Sequence, residues 1–259
     1  MASGGSASTK ATLATTRAPG EEAARAALEP LKWGEAPQVI VAGDTGTGKT
    51  TLLLQMVPIV LEMCPSALVV VIDDKGPRTR YVGQERVNVA HLRTQKLDPK
   101  GPHVVIFRGD VLKRISAGRE DCYRYAWDVA VRGRRTIVFC DETKHREVFI
   151  NRQWRKGVEC MPFAFSKGRE VGLGNVSGLQ GHDDLPDEPI DNCTTVLHFK
   201  ADGDGLAKLK TNKLLRGGVE PVIPSLHGME VEPRMRGDFV RLVRGRDWDR
   251  KIYKFVGAR

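Results

Sequence analysis

Short, continuous apolar runs recur along the chain, separated by longer mixed stretches. The runs at 38–43, Ala67–Ile72, His103–Arg108, Thr136–Cys140 and Thr195–Phe199 are rich in Val, Ile, Leu and Phe and do not alternate with polar residues, and 175–180 reads as a further short strand. A strand with one solvated face alternates, so continuous runs of this length predict parallel strands covered on both faces. Between them, Thr50–Cys64 (bent at Pro58), about 119–132 and 147–172 read as helices. Strand and helix in turn predict an α/β chain with a mostly parallel sheet flanked by helices. The pattern changes at both ends. Phe239–Arg244 and Ile252–Val256 alternate apolar with polar or basic residues around Gly245-Arg246-Asp247, predicting a small C-terminal β-hairpin. Residues 1–30 are rich in Ala, Thr, Ser and Gly and predict a flexible arm, disordered over 1–20. Within that arm Glu21–Leu28 could form a short helix that Pro30 stops and that docks on a neighbour or on another protein. Residues 77–100 look like an exposed excursion, and 182–191 like an acidic loop.

The chemistry sits where apolar runs end. The first runs into Gly43-Asp44-Thr45-Gly46-Thr47-Gly48-Lys49-Thr50-Thr51, a complete G-x-x-x-x-G-K-T phosphate loop. Its glycines let backbone N–H groups curl toward phosphate oxygens, Lys49 would reach the β and γ phosphates, and Thr50 would offer its hydroxyl to Mg²⁺. The run Thr136–Cys140 ends in Asp141-Glu142. Neighbouring side chains leave a strand on different sides, so the two acids can take two jobs: Asp141 the metal, Glu142 the general base that polarises water. Ala67–Ile72 ends in Asp73-Asp74-Lys75-Gly76, marking the same ligand side. His198, inside an apolar run, reads as a packed histidine rather than a catalyst.

The whole-chain numbers narrow the setting. At 259 residues the chain suits one large domain, 31–259, behind the arm. No apolar run is long enough to span a bilayer and the first residues do not form a secretory signal, so the expectation is a soluble intracellular protein. Cys64, Cys122, Cys140, Cys160 and Cys193 stand singly and read as small core residues rather than a disulfide or zinc framework. A net charge of +9 favours a polyanionic partner. Lys144 and Arg146, just after the paired acids, are candidate DNA contacts.

One order of features remains: phosphate loop, run ending Asp-Asp-Lys-Gly, run ending Asp-Glu, then Gly168-Arg169-Glu170 shortly before a run ending in Gln180, then Leu185-Pro186. This order resembles the FtsK–HerA superfamily of DNA-pumping ATPases over about 36–202, and the small size looks most like viral genome-packaging ATPases. Several relatives have Asp-Pro where this chain has Asp73-Asp74. The resemblance implies a RecA/ASCE-like phosphate-loop NTPase fold, ATP and Mg²⁺ as cofactors, and nucleotide chemistry at Lys49, Thr50, Asp141 and Glu142. It makes Gln180 the polar sensor and Arg169 the candidate arginine finger, with Arg152 and Arg155 as alternatives. It further implies a homo-oligomeric ring, often hexameric, around double-stranded DNA, a capsid or portal-vertex partner, and a place in the host cytoplasm or with the virion. The rival readings are a conjugative, plasmid or chromosomal DNA translocase, a small-molecule phosphate-loop kinase, and a regulatory nucleotide-binding module.

Overall fold

The computed structural model describes residues 18–43, 46–73, 81–86, 103–108, 115–141, 160–179, 192–199, 239–243 and 250–254. The expected disorder over 1–17, the helical stretch 147–159 and the loop 182–191 lie outside these residues. Ten strands are described: β1 Ala18–Pro19, β2 Gln38–Ala42, β3 Leu68–Ile72, β4 Gln84–Arg86, β5 Val104–Phe107, β6 Thr136–Cys140, β7 Leu173–Leu179, β8 Thr195–Phe199, β9 Phe239–Val243 and β10 Arg250–Lys254. With them are four α-helices: α1 Gly20–Ala27, α2 Lys49–Met63, α3 Ile115–Val131 and α4 Cys160–Val171.

The strands form one sheet in the order β1-β10-β9-β8-β2-β7-β6-β3-β5-β4. From β8 to β4 every pairing is parallel, and only β9 and β10 pair antiparallel, at the β8 side. The continuous apolar runs are explained by cover on both faces. Every residue of β2, β3, β5, β6, β7 and β8 is buried. Val39, Val41, Val69, Val71, Ile137, Phe139, Val176, Leu197 and Phe199 share a cluster with Leu52, Leu53 and Met56 of α2 and the small residues of α1. Helices α3 and α4 pack on each other and on β6 and β7. Alternation along a strand turns the other set of side chains to that opposite face. Pro58 lies inside α2 on its exposed side, and the helix runs on to Met63.

Three expectations change. The stretch 20–28 of the expected arm is packed: Ala23, Ala24, Ala27 and Leu28 are fully buried, and the neighbour on which the helix docks is α2 of its own domain. Arg25 bridges Glu62 of α2 at 2.8 Å and Glu21 at 2.9 Å, an exposed pairing that water and salt screen, so the small buried residues carry the contact. Residues 81–86 of the expected excursion are part of the fold, with Tyr81 buried and β4 extending the sheet beside β5. Cys122, Cys140 and Cys193 are buried as expected, but Cys64 is partly exposed at the end of α2.

Candidate nucleotide-binding site

Register builds the site. Ala42 stands opposite Leu179, Ile72 opposite Cys140, and Ile72 opposite Phe107, so these strands finish at one edge of the sheet. Whatever follows each run is therefore delivered to that edge: Gly43 after β2, Asp141 after β6, Asp73 after β3 and Arg108 after β5. In a parallel sheet this carboxyl edge is where ligands bind.

At the loop, Gly43, Gly46 and Gly48 have φ values of 144°, 83° and 110°. These are conformations that side chains with a Cβ rarely adopt, which is the physical reason for glycine at these spacings. Gly48 caps α2, whose first residue is Lys49. The N–H groups of the first turn have no partner within the helix and favour an anion. Lys49 is 5% exposed, and its Nζ donates to the Gly43 carbonyl at 2.6 Å, holding the ammonium against the mouth of its own loop. Thr47 is buried, and Thr50 and Thr51 are half-buried at the start of α2.

The deciding contact crosses the sheet. Thr50 Oγ1 donates to Asp141 Oδ1 at 2.8 Å and lies 3.1 Å from Oδ2, although β2 and β6 are separated by β7. A loop hydroxyl and a buried carboxylate in hydrogen-bond contact form a hard, oxygen-only donor pair. That set fits Mg²⁺, which typically takes one or two protein oxygens and completes its shell with phosphates and water. Among the described residues no group of three or more His, Cys, Asp and Glu assembles as a closed metal cage.

An ion pair also closes this edge. Asp73, fully buried in its side chain, accepts from Arg108 Nε at 2.7 Å. Tyr81 is 6% exposed, and its hydroxyl has no hydrogen-bond partner among the described residues. Burial pushes the Tyr81 phenol well above its ordinary range, and the charges of Asp141 and Asp73 add to this while Arg108 opposes it. Sequence reading recognised Asp73 as a strand end but passed over Arg108 and Tyr81. The signal for Arg108 was its place directly after an apolar run; Tyr81 carried none.

Arg169 lies elsewhere. It stands in the last turn of α4, just before β7 begins, and its guanidinium donates to the Asn192 carbonyl ahead of β8. Leu173 pairs with Thr136 and Asn175 with Gln38, so this is the amino edge of the sheet, opposite the phosphate loop. Asp44, Thr45, Glu142, Lys144, Arg146, Arg152, Arg155 and Gln180 lie outside the described residues. Of these, Glu142 directly follows Asp141, and Gln180 directly follows β7, the strand between β2 and β6.

Solved structures share this architecture. The genome-packaging NTPase B204 of Sulfolobus turreted icosahedral virus 2, in complex with AMPPCP, aligns with a TM-score of 0.61 at 14% identity, covering 85% of this chain and 98% of that one. The chain has the fold of a viral genome-packaging NTPase. B204 described as the DNA-packaging ATPase from Sulfolobus turreted icosahedral virus gives a TM-score of 0.60 at 14% identity over 86% of this chain and 98% of that one. The cytoplasmic domain of the type VII secretion ATPase EccC from Thermomonospora curvata aligns at a TM-score of 0.43 and 17% identity, over 84% of this chain and 25% of that one. No protein-family model and no curated protein matches the chain. Within this packaging-NTPase fold no helix of the described residues is long and apolar enough to cross a membrane.

Proposed function

We propose that the chain is an Mg²⁺-dependent ATPase that works as a homo-oligomeric ring, a hexamer in this reading, and drives double-stranded DNA into a preformed viral capsid. The observation that carries the nucleotide chemistry is the Thr50–Asp141 contact of 2.8 Å at the carboxyl edge, one residue beyond Lys49 of the loop. In this reading the residues of 43–51 bind the triphosphate: the loop N–H groups cradle it, and Lys49 exchanges the Gly43 carbonyl for phosphate oxygens. Thr50 and Asp141 hold Mg²⁺, which when bound neutralises charge developing on the transferring phosphoryl group. Glu142 takes the proton of the attacking water, and Gln180 orients that water.

DNA as the substrate to be moved is supported by the likeness to B204, which extends over 98% of that protein's chain. It is supported also by a net charge of +9. Phosphate contacts grip any base sequence, so a motor has no need of base readout. Lys144 and Arg146 follow the catalytic pair within a few residues, close enough in the chain to link hydrolysis to grip. A capsid or portal-vertex protein is the docking partner, and the motor acts in the host cytoplasm or at the virion.

The test is ATP hydrolysis against duplex DNA of two unrelated sequences over a series of salt concentrations. DNA of either sequence is expected to stimulate the rate, with apparent affinity falling log-linearly with salt. Replacing Lys144 and Arg146 with Ala should make that slope shallower by about one per lost phosphate contact. A rate indifferent to DNA at low salt, in an assembled ring, removes the translocase reading.

A further inference from the structure

At the loop edge the sheet register runs one residue beyond the strands. Ile72 stands opposite both Phe107 and Cys140, and the ladder continues past them: the Asp141 N–H donates to the Ile72 carbonyl at 3.4 Å, and the Asp73 N–H to the Phe107 carbonyl at 3.1 Å. Asp141, Asp73 and Arg108 therefore lie abreast at the ends of β6, β3 and β5. Neighbouring strands are about 4.8 Å apart, so the two acids are adjacent. Val69, Val71, Ile137 and Phe139 share the cluster packed on α2, and the period of two carries that direction on to Asp73 and Asp141. Each acid is 1% exposed. Asp141 meets Thr50 at 2.8 Å, whereas Asp73 Oδ2 accepts from Arg108 Nε at 2.7 Å. A buried ion pair adds little net stability, because desolvation offsets its attraction, so stability alone gives no reason for one beside the candidate metal pair.

We propose that Arg108 is a positioning residue: by holding Asp73 it keeps that carboxylate out of the shell of a divalent cation at Thr50 and Asp141, so that retention of the cation depends on nucleotide phosphates. Two buried carboxylates side by side would draw a divalent ion with no nucleotide present, since affinity for such ions rises with the charge of their ligands. A guanidinium on one of them cancels its charge and occupies its oxygen. Arginine stays protonated at any working pH, so the restraint is permanent. Thr50 and Asp141 then offer one hydroxyl and one carboxylate, a set that phosphate oxygens and water complete. The ion arrives with the nucleotide and leaves with it.

This inference rests on the ATPase reading, and the experiment separates the two. Mn²⁺ serves as the probe, its binding to the full chain followed by electron paramagnetic resonance with and without ADP. Wild type, Arg108→Gln and the double variant Asp73→Asn with Arg108→Gln are compared. Arg108→Gln releases Asp73 and is expected to bind Mn²⁺ without nucleotide about 10-fold more tightly than wild type. The double variant removes both charges and leaves no buried ion unpaired, so it should match wild type within a factor of about two, with ADP and without. Nucleotide-free Mn²⁺ affinity in Arg108→Gln no higher than in wild type overturns the inference and leaves the ATPase reading standing; a merely structural ion pair gives that result. A loss of about 10-fold in the double variant overturns it as well, since Asp73 then serves the ion itself. That second arm decides the matter even where Arg108→Gln, with its buried acid unpaired, fails to fold. Wild type that takes up no Mn²⁺ with ADP overturns both readings.

Discussion

A single methyl group at Gly178 tests the geometry of the candidate site. Gly178 lies in β7, between the loop strand β2 and the Asp141 strand β6. A Cβ built there falls 2.5 Å from the Asp141 carbonyl oxygen and 3.1 Å from Leu53 Cδ1. Its backbone is one that alanine adopts freely, so the effect of Gly178→Ala is purely steric. Ordinary contact at about 3.5 Å requires the carbonyl oxygen to part from the methyl by about 1 Å and Leu53 Cδ1 by about 0.4 Å. The nearest atom is backbone and cannot swing aside as a side-chain tip would. Leu53 lies one turn after Thr50 in α2, so the methyl presses on both sides of the Thr50–Asp141 contact, which spans only 2.8 Å. Overpacking of this kind costs about 1–3 kcal/mol, and a catalytic group displaced on this scale costs roughly 10-fold to 100-fold in rate. Gly174→Ala supplies the control. Its Cβ would meet Ile137 Cδ1 at 2.8 Å and the Pro37 carbonyl at 2.8 Å, at the amino end of the same strand. Thermal melts and steady-state ATP hydrolysis on both variants should show similar losses of stability, with a rate defect confined to Gly178→Ala. Wild-type turnover in Gly178→Ala, or an equal rate defect in Gly174→Ala, refutes the assignment of Asp141 to the chemistry.

Three further outcomes are expected. Glu142→Gln should bind ATP with Mg²⁺ and hydrolyse it about 100-fold more slowly, while Lys49→Ala should lose binding itself; equal losses of affinity in a nucleotide-binding assay would contradict this division of labour. Arg169→Ala should bind ATP normally but hydrolyse it about 1,000-fold more slowly, and mixing it with Lys49→Ala subunits should restore some activity in verified mixed rings. Leu28→Ala, at a fully buried residue directly after α1, should lower stability by about 2–5 kcal/mol in denaturant unfolding, whereas a loss near zero would mean that this helix contributes little to the domain.

How far the sequence revealed the site depends on which contacts are local. The Val and Ile runs showed their strands directly, because burial on both faces leaves no polar position, and the residue closing each run then had to lie at the ligand edge. Asp141 was legible for that reason, and Lys49 and Thr50 from the glycine spacing of the loop. Strand neighbours were not: β2 and β3 are consecutive in the chain, yet β7 and β6 lie between them. Nothing local says that Thr50 meets Asp141 rather than Asp73; that expectation came from giving both Thr50 and Asp141 to one Mg²⁺, which the loop motif and the paired acids suggested. Tyr81 sits in a stretch rich in Arg, Gln and Pro, where composition argues for exposure, and only the pairing of β4 with β5 brings it in. Helix α1 was legible as a short docking helix but not its place in the domain, because alanines offer little apolar area individually; packed against α2 their small size allows a close approach.

The opposite placement of Lys49 and Arg169 carries a consequence for assembly. β7 begins two residues after the helix bearing Arg169 and runs seven residues, Leu173–Leu179, to the edge where the phosphate loop lies. At about 3.3 Å per residue the strand spans roughly 20 Å, several times what an arginine side chain can reach. Arg169 therefore cannot touch a phosphate held by Lys49 of its own chain, and any part it plays in hydrolysis requires a second subunit whose loop edge faces this amino edge. Such a contact joins different surfaces of identical chains, and repeated head to tail it closes into a ring or runs on as a filament. In that arrangement the hydrogen bond from Arg169 to the Asn192 carbonyl must compete with the neighbour's nucleotide. Asn192 lies two residues before Thr194, whose N–H and hydroxyl both donate to the Gln38 carbonyl at the start of β2. The strand that carries one subunit's phosphate loop is thus anchored beside the arginine proposed to serve the next.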